Sequence, residues 1–462
     1  MVPASDAEIL QRPLEEPPLQ VPLLDAFSSC STASASSSCA KHSTHRRKRL
    51  EELMSAEVIN KRAVADVVWL GVPDGCPRSA AWQVLLGYLP LASQRQHSAL
   101  KQKRQLYAEM RARLYGVSAQ ERECLQMSST HSNGAASDGC GEDDLLSLEQ
   151  IRRDLPRLAV CTATEDACRI RIQAVLEDAR VVSMLERLLF VWAVRQPSPG
   201  YVQGLLDVAL PLLLVFLSEA GHTHVTVFDV TFLDSMSEQV LQDVEADCYW
   251  CLARLLSELM DNYTEGQPGI QRSAAMVSSL FVVQEPDFSI VDMLEEHGLQ
   301  IHLLLTRWLG CLMVRETSLS LCLRLWDTLL AEVAMSQLAG GSPQEGLSPF
   351  LACLCGAILL EAPQSLSEAG MDELMQFAQR PALGGLSEGE LAALISEAYV
   401  LLSSSYAPAL EQCSHREAQA ETRSCDGSST TAPESTVQSS PPSEGLDEVE
   451  VTFPSMAGFV RI

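Results

Sequence analysis

Two short segments hold residue types suited to phosphate chemistry: Ile151-Arg152-Arg153-Asp154-Leu155-Pro156-Arg157 and Gly200-Tyr201-Val202-Gln203-Gly204. Each sets one strong polar group, a guanidinium in the first and a carboxamide in the second, in an apolar neighbourhood where an unpaired polar group is costly to bury. These are the two groups that a slow GTPase lacks when it works alone. The guanidinium spreads positive charge over the transferring phosphoryl group and the carboxamide positions the attacking water; an arginine supplied in trans is worth about 10³ to 10⁵ in rate.

The elements that must position these groups are helical. Leu, Ala, Glu and Gln are abundant and aromatics few, which favours helices. A chain of 462 residues with 47% hydrophobics can bury one large core or two modest ones. The net charge of -27 argues against a nucleic-acid partner, which would need a basic face. It is compatible with a protein partner whose docking face is basic or neutral. The 15 cysteines are odd in number and scattered, often inside apolar runs (Cys311, Cys322, Cys353, Cys355), as reduced, buried thiols are. Cys248 and Cys251 form a lone CxxC, and His222 and His224 lack a carboxylate-rich context, so no metal site is expected. Pro3, Asp6 and Glu8 stand where a secretory leader would place basic residues. The apolar run from Val208 to Leu217 falls short of the roughly 20 residues that span a bilayer. No integral membrane segment is expected, and any membrane attachment would be peripheral.

In chain order, a Ser/Pro/Ala-rich head is expected to be disordered over residues 1–62. It contains His45-Arg46-Arg47-Lys48-Arg49, either an import or anionic-lipid patch or simply a solvated basic stretch before Glu51 and Glu52. Arg78 and Trp82 share a helix face, and Gly87 to Pro90 supplies a stop. Gln94 to Gln126 reads as a long helix, and residues 127–144 as a flexible insertion. The acids Glu142, Asp143 and Asp144 suit a helix N-terminus, and Pro156 keeps the arginine segment to a short helix or turn. Thr162 to Ile172 reads as a loop, and Val181 to Val194 as a helix with Glu186 and Arg187 outward. The Pro/Gly punctuation before Tyr201 then starts an apolar helix, Tyr201 to Glu219, with Gln203 in its first turn. There Gln203 is either a positioned catalytic group or a helix-start residue satisfying orphan backbone groups. Further helices are expected over Val240 to Met260, in the span Ile301 to Asp327 as two, and over Phe350 to Leu360, Met371 to Ala378 and Leu386 to Leu402. Residues 411–462, rich in Ser, Thr, Pro and acids, read as a disordered tail.

The two opening segments fit the fingerprints IxxDxxR and YxQG, and the chain resembles the TBC-domain family of Rab GTPase-activating proteins. Arg78 to Trp82 followed by Leu85-Leu86-Gly87 is similar to the family's opening block, and Arg307-Trp308, Arg315-Glu316 and Arg324-Leu325-Trp326-Asp327 to its later series. The resemblance runs from about Trp69 to Ala407. It implies an all-α fold, a two-lobed helical TBC domain over residues 63–410 between the disordered ends. It implies Arg157 as an arginine finger and Gln203 as a glutamine finger, with Asp154 pairing with an arginine to fix its direction. Tyr201 and Gly204 would shape the turn presenting Gln203; Arg78, with Trp82, would lie near Asp154 and buttress the finger. The later Arg, Trp, Glu and Asp series would have core-network roles only. The implied partner is a GTP-bound Rab small GTPase, so the chain is not an enzyme on its own and needs no cofactor, GTP and Mg belonging to the GTPase. The implied setting is vesicle trafficking in the cytoplasm, with peripheral recruitment to endomembranes such as the Golgi or endosomes; the two ends would serve regulatory partners.

Three departures from the family pattern stand out. Leu206 stands in place of the usual Asn, Leu158 in place of a Thr, and Thr317-Ser318 in place of Leu-Pro. Loss of the amide and hydroxyl would loosen the shell that aims the fingers, and a 1 Å error costs about 10²-fold. The alternative to an activator is therefore a scaffold that binds Rab GTPases or other partners without stimulating hydrolysis.

Overall fold

The computed structural model describes residues 35–127, 142–160, 166–224, 230–284, 300–340, 347–361 and 386–406, together with 294, 373, 377 and 383. Among these the backbone is helix and turn, and β structure is limited to an isolated bridge between Val58 and Ala92. In chain order the helices are α1 (Ala35–Met54), α2 (Lys61–Trp69), α3 (Arg78–Leu85), α4 (Ser93–Met127) and α5 (Glu142–Asp154). They continue as α6 (Asp166–Glu177), α7 (Ala179–Arg195), α8 (Leu205–Ala220), α9 (Glu238–Ser257) and α10 (Met260–Tyr263). The last are α11 (Pro268–Gln284), α12 (Ile301–Gly310), α13 (Leu319–Ala339), α14 (Leu347–Leu360) and α15 (Glu388–Leu401). Side-chain caps start several of them: Asn60, Asp178, Ser237, Ser318 and Ser387 each accept a backbone N–H from the first turn.

The helices form two lobes. In the first, α4 and α5 pack on α7, and α4, α7 and α8 pack on α9. In the second, α14 packs on α11 and α15. The two are joined where α2 and α3 lie on α13 while α3 also touches α8. Because α8 is apolar all round, it is buried all round and carries one buried charge, Asp207. Charged networks pin the first lobe. The fully buried Glu245 of α9 accepts from Arg187 at 2.5 Å, Arg111 at 3.3 Å and the Tyr107 hydroxyl at 2.7 Å.

Several sequence expectations need correction. The head gives way to ordered chain well before residue 62: α1 is a helix, because Leu50 and Leu53 bury apolar surface and the Arg46 guanidinium donates to the carbonyls of Val67 (3.0 Å) and Gly71. Part of the basic stretch is thus used inside the molecule. The loop expected from Thr162 to Ile172 is mostly the helix α6, whose Ile172 and Val175 face the core. Glu186 and Arg187 do not face outward. Glu186 accepts from Arg152 and Tyr115 at 2.5 Å each, and Arg187 reaches Glu245. The rest of the expected head, most of the expected insertion, nearly all of the helix at 371–378 and the tail lie outside the described residues.

Candidate functional site

Helix α5 ends at Asp154 and continues as a 3-10 turn, Leu155–Val160. Pro156 explains the change, since it lacks an N–H and disfavours α geometry in the residue before it. The turn carries Arg157, whose side chain is 68% exposed. Behind it, α5 is fixed to α7 by the buried Ile151 and by the Arg152–Glu186 ion pair at 2.5 Å.

Asp154 sits below Arg157 and is buried. Its Oδ2 accepts the Tyr201 hydroxyl at 3.1 Å, and its Oδ1 lies 3.6 Å from Arg157 Nη1. Burial pushes the Asp154 carboxyl above its usual range, opposed by the bond from Tyr201 and the charge of Arg157. Burial, then the neighbouring Asp154, raises the Tyr201 hydroxyl far above the usual phenol range, so it stays protonated as a fixed donor.

The second segment is a turn ahead of α8, so Gln203 precedes the helix and does not lie in its first turn. Gly204 is the N-cap, with φ +107°, a left-handed conformation that side chains resist. Its carbonyl accepts from the backbone N–H of Asp207 at 3.0 Å and of Val208 at 3.2 Å, which fixes the first turn of α8. The structure brings Arg157, Gln203, Asp154, Tyr201 and Gly204 to one cleft of about 100 Å³. Remote in sequence, the guanidinium and the carboxamide share a surface.

Arg78 and Trp82 are elsewhere, contrary to the expected buttress. Both donate to the fully buried Asp327, Arg78 Nε at 3.1 Å and Trp82 Nε1 at 2.8 Å, joined by the Val72 N–H at 2.7 Å. A sequestered carboxylate needs such donors, and their shared helix face delivers two of them to one acceptor.

Two residues of the cleft escape sequence reasoning, Asp207 and Arg315, whose ion pair spans 2.8 Å. Asp207 is signalled only as a charge within an apolar run. Arg315, expected in a core network, arrives on the turn after α12, a helix that packs on α11 and α14 of the second lobe. The departures Leu158 and Leu206 are buried in the wall of this cleft, so aliphatic surface stands at both positions.

A larger cleft of about 710 Å³ opens at the far end of α8, roughly 24 Å along a 16-residue helix. Its Glu219 is occupied by the Ser79 N–H at 3.1 Å and hydroxyl at 2.5 Å, and its Asp247 by Arg104 at 2.7 Å. Size alone does not make it the reactive site. Among the described residues no His, Cys, Asp and Glu cluster is arranged to hold a metal, and no helix is long and apolar enough to cross a membrane.

The sequence matches the Rab-GTPase-TBC domain family over residues 76–340. The GTPase-activating protein gyp1 of Schizosaccharomyces pombe is 30% identical over 77% of this chain, which spans 60% of that relative's length. TBC1 domain family member 22A of Macaca fascicularis is 29% identical over 86% of this chain and 70% of its own. The crystal structure of the Ypt/Rab-GAP domain of Gyp1p aligns with a TM-score of 0.62 at 28% identity, covering 78% of this chain and 98% of that one. With a match that includes both segments of the cleft and more than half of its length, the chain belongs to the Rab-GTPase-TBC domain family.

Proposed function

We propose that the chain activates Rab-family small GTPases, docking on the GTP-bound form and lending Arg157 and Gln203 to its active site. The observation that carries this reading is the shared cleft, with an exposed guanidinium beside a carboxamide and a buried carboxylate beneath both segments. Nucleotide and Mg belong to the GTPase, so the chain performs no chemistry alone. Arg157 would stabilise charge on the transferring phosphoryl group and Gln203 would orient water, which is electrostatic and positional catalysis. The encounter is proposed to occur in the cytoplasm, with the chain recruited peripherally to endomembranes that bear the GTPase.

Single-turnover GTP hydrolysis across a panel of purified Rab proteins tests this. Stimulation of at least one, lost by about 10³-fold or more in Arg157→Ala and strongly reduced in Gln203→Ala with melting unchanged, is the expected result. Undiminished stimulation by both variants ends the reading. The aliphatic Leu158 and Leu206 in the cleft wall favour one other reading, a Rab-binding scaffold. Binding of a Rab without stimulation by the unaltered chain would select it.

A further inference from the structure

We infer that Arg315 is a positioning residue for the arginine finger, neutralising Asp207 so that Arg157 remains available to the phosphate. The inference rests on the finger reading above and assigns the second lobe a part in it.

Asp207 is buried at the third residue of α8 and lines the same cleft as Arg157. Its charge reaches Asp154, whose carboxyl it helps to push upward. Two carboxylates therefore line the cleft that holds the one finger. Arg157 stands 3.6 Å from Asp154, longer than a hydrogen bond, so its hold there is weak enough to yield to a stronger anion. A second unneutralised carboxylate in the cleft would compete for the guanidinium and repel an incoming phosphate. Arg315 Nη2, 2.8 Å from Asp207 Oδ2, supplies the missing positive charge, and with it Asp154, Asp207, Arg157 and Arg315 sum to zero.

The backbone that delivers Arg315 is specialised. Leu312 and Met313 are non-glycine residues at φ +49° and +61°, and both are buried. Such conformations cost about 1–3 kcal/mol each and persist where the surroundings impose them. Here the Trp326 indole donates to the Leu312 carbonyl at 3.2 Å, and the Met313 N–H bonds to the Trp308 carbonyl at 3.1 Å. The neighbouring Glu316 is held separately, by Arg307 at 2.7 Å, so the turn divides its two charges between two tasks. Of those two charges Arg315 is the one sent across to Asp207, where the Cys311 thiol of the same turn also donates at 3.8 Å.

The test compares single-turnover hydrolysis at saturating activator for the unaltered chain, Arg315→Gln, Arg315→Lys and the double variant Arg315→Gln/Asp207→Asn, with melting and half-saturation recorded for each. The expected result is a fall of at least about tenfold for Arg315→Gln, with half-saturation within about threefold because Asp207 is buried and Arg315 largely so. Arg315→Lys, which keeps the charge, and the double variant, which removes the need for it, should return to within about threefold of the unaltered chain. An unaffected Arg315→Gln overturns the inference. So does a double variant as slow as the single, since Arg315 would then contact the GTPase itself. If Arg315→Gln fails to fold, Arg315→Lys and Asp207→Asn decide: both should keep at least about a third of the rate, and a fall of more than about tenfold in both overturns the inference. An unaltered chain that binds a Rab but stimulates none ends the finger reading and this inference with it.

Discussion

The Tyr201 hydroxyl donates to the Asp154 carboxylate at 3.1 Å, linking the segment that carries Arg157 to the segment that carries Gln203. The bond makes the relative position of the two groups a property of buried chemistry, while the groups themselves stand at the surface. It also gives the first prediction. Tyr201→Phe keeps the ring and removes the donor, leaving Asp154 buried with weaker partners. The expected cost is about 1–3 kcal/mol in urea unfolding, with a stimulated rate reduced about tenfold or more by misplacement.

Gly204→Ala places a Cβ at φ +107° directly after Gln203. A destabilisation of about 1–2 kcal/mol is expected. If the turn shifts by 1 Å, the stimulated rate falls about 10²-fold. Hydrolysis and melting measured on the same preparation check both effects.

Arg78→Met should separate stability from activity. It strips the fully buried Asp327 of a charged donor held at 3.1 Å, which typically costs about 3–5 kcal/mol. Hydrolysis per folded molecule should be unchanged, measured well below the melting temperature. A selective loss of stimulation with normal melting would return Arg78 to the fingers.

Leu50→Ala asks whether α1 belongs to the folded body. Leu50 is almost wholly buried beside α2, so truncation should cost about 2–5 kcal/mol, read from urea unfolding. A solvated head would leave the midpoint where it was.

The pH dependence of stability follows from Glu332, a carboxylate raised above its usual range by burial although Trp69 Nε1 donates to it at 2.6 Å. The folded form then binds its proton more tightly than the unfolded form. Its contribution to stability is fully present below the usual carboxylate range and is lost as pH rises through the raised value. Glu332→Gln, which keeps an acceptor for Trp69, should flatten that fall and be the more stable form at pH 7. Urea midpoints from pH 4 to 7 for both proteins check it.

Much of this molecule is legible in the residues. The helical spacing of Val181 to Val194 and the apolar run after Gly204 give α7 and α8, and Pro156 marks where α5 must stop. Arg157, Asp154, Tyr201 and Gln203 are found from their fingerprints, and all four line one cleft. What remains hidden is pairing at long range. Arg78 and Trp82 visibly share a face, yet nothing local names Asp327 as the acceptor, 249 residues from Arg78. Arg315 is likewise silent, because its partner Asp207 lies in the other lobe and its turn uses left-handed residues without glycine. Charged residues mislead for the same reason. Glu186 and Arg187 look solvent-facing by period, but Arg152 and Glu245 draw them inward. In α1, composition conceals the order that Arg46 and Leu50 supply.

The clasp of Arg78, Trp82 and the Val72 N–H on Asp327 bears on how the protein is made. At 5–20 residues per second, a ribosome takes roughly 12–50 s to travel from Arg78 to Asp327. For an interval of that length α2 and α3 are outside the exit tunnel without the helix they cover, and the faces they bury against it, Val64, Val68, Trp82 and Leu85 among them, lack that partner. Co-translational folding should therefore leave the amino-terminal helices unsettled until α13 emerges, a window in which a chaperone finds its natural client.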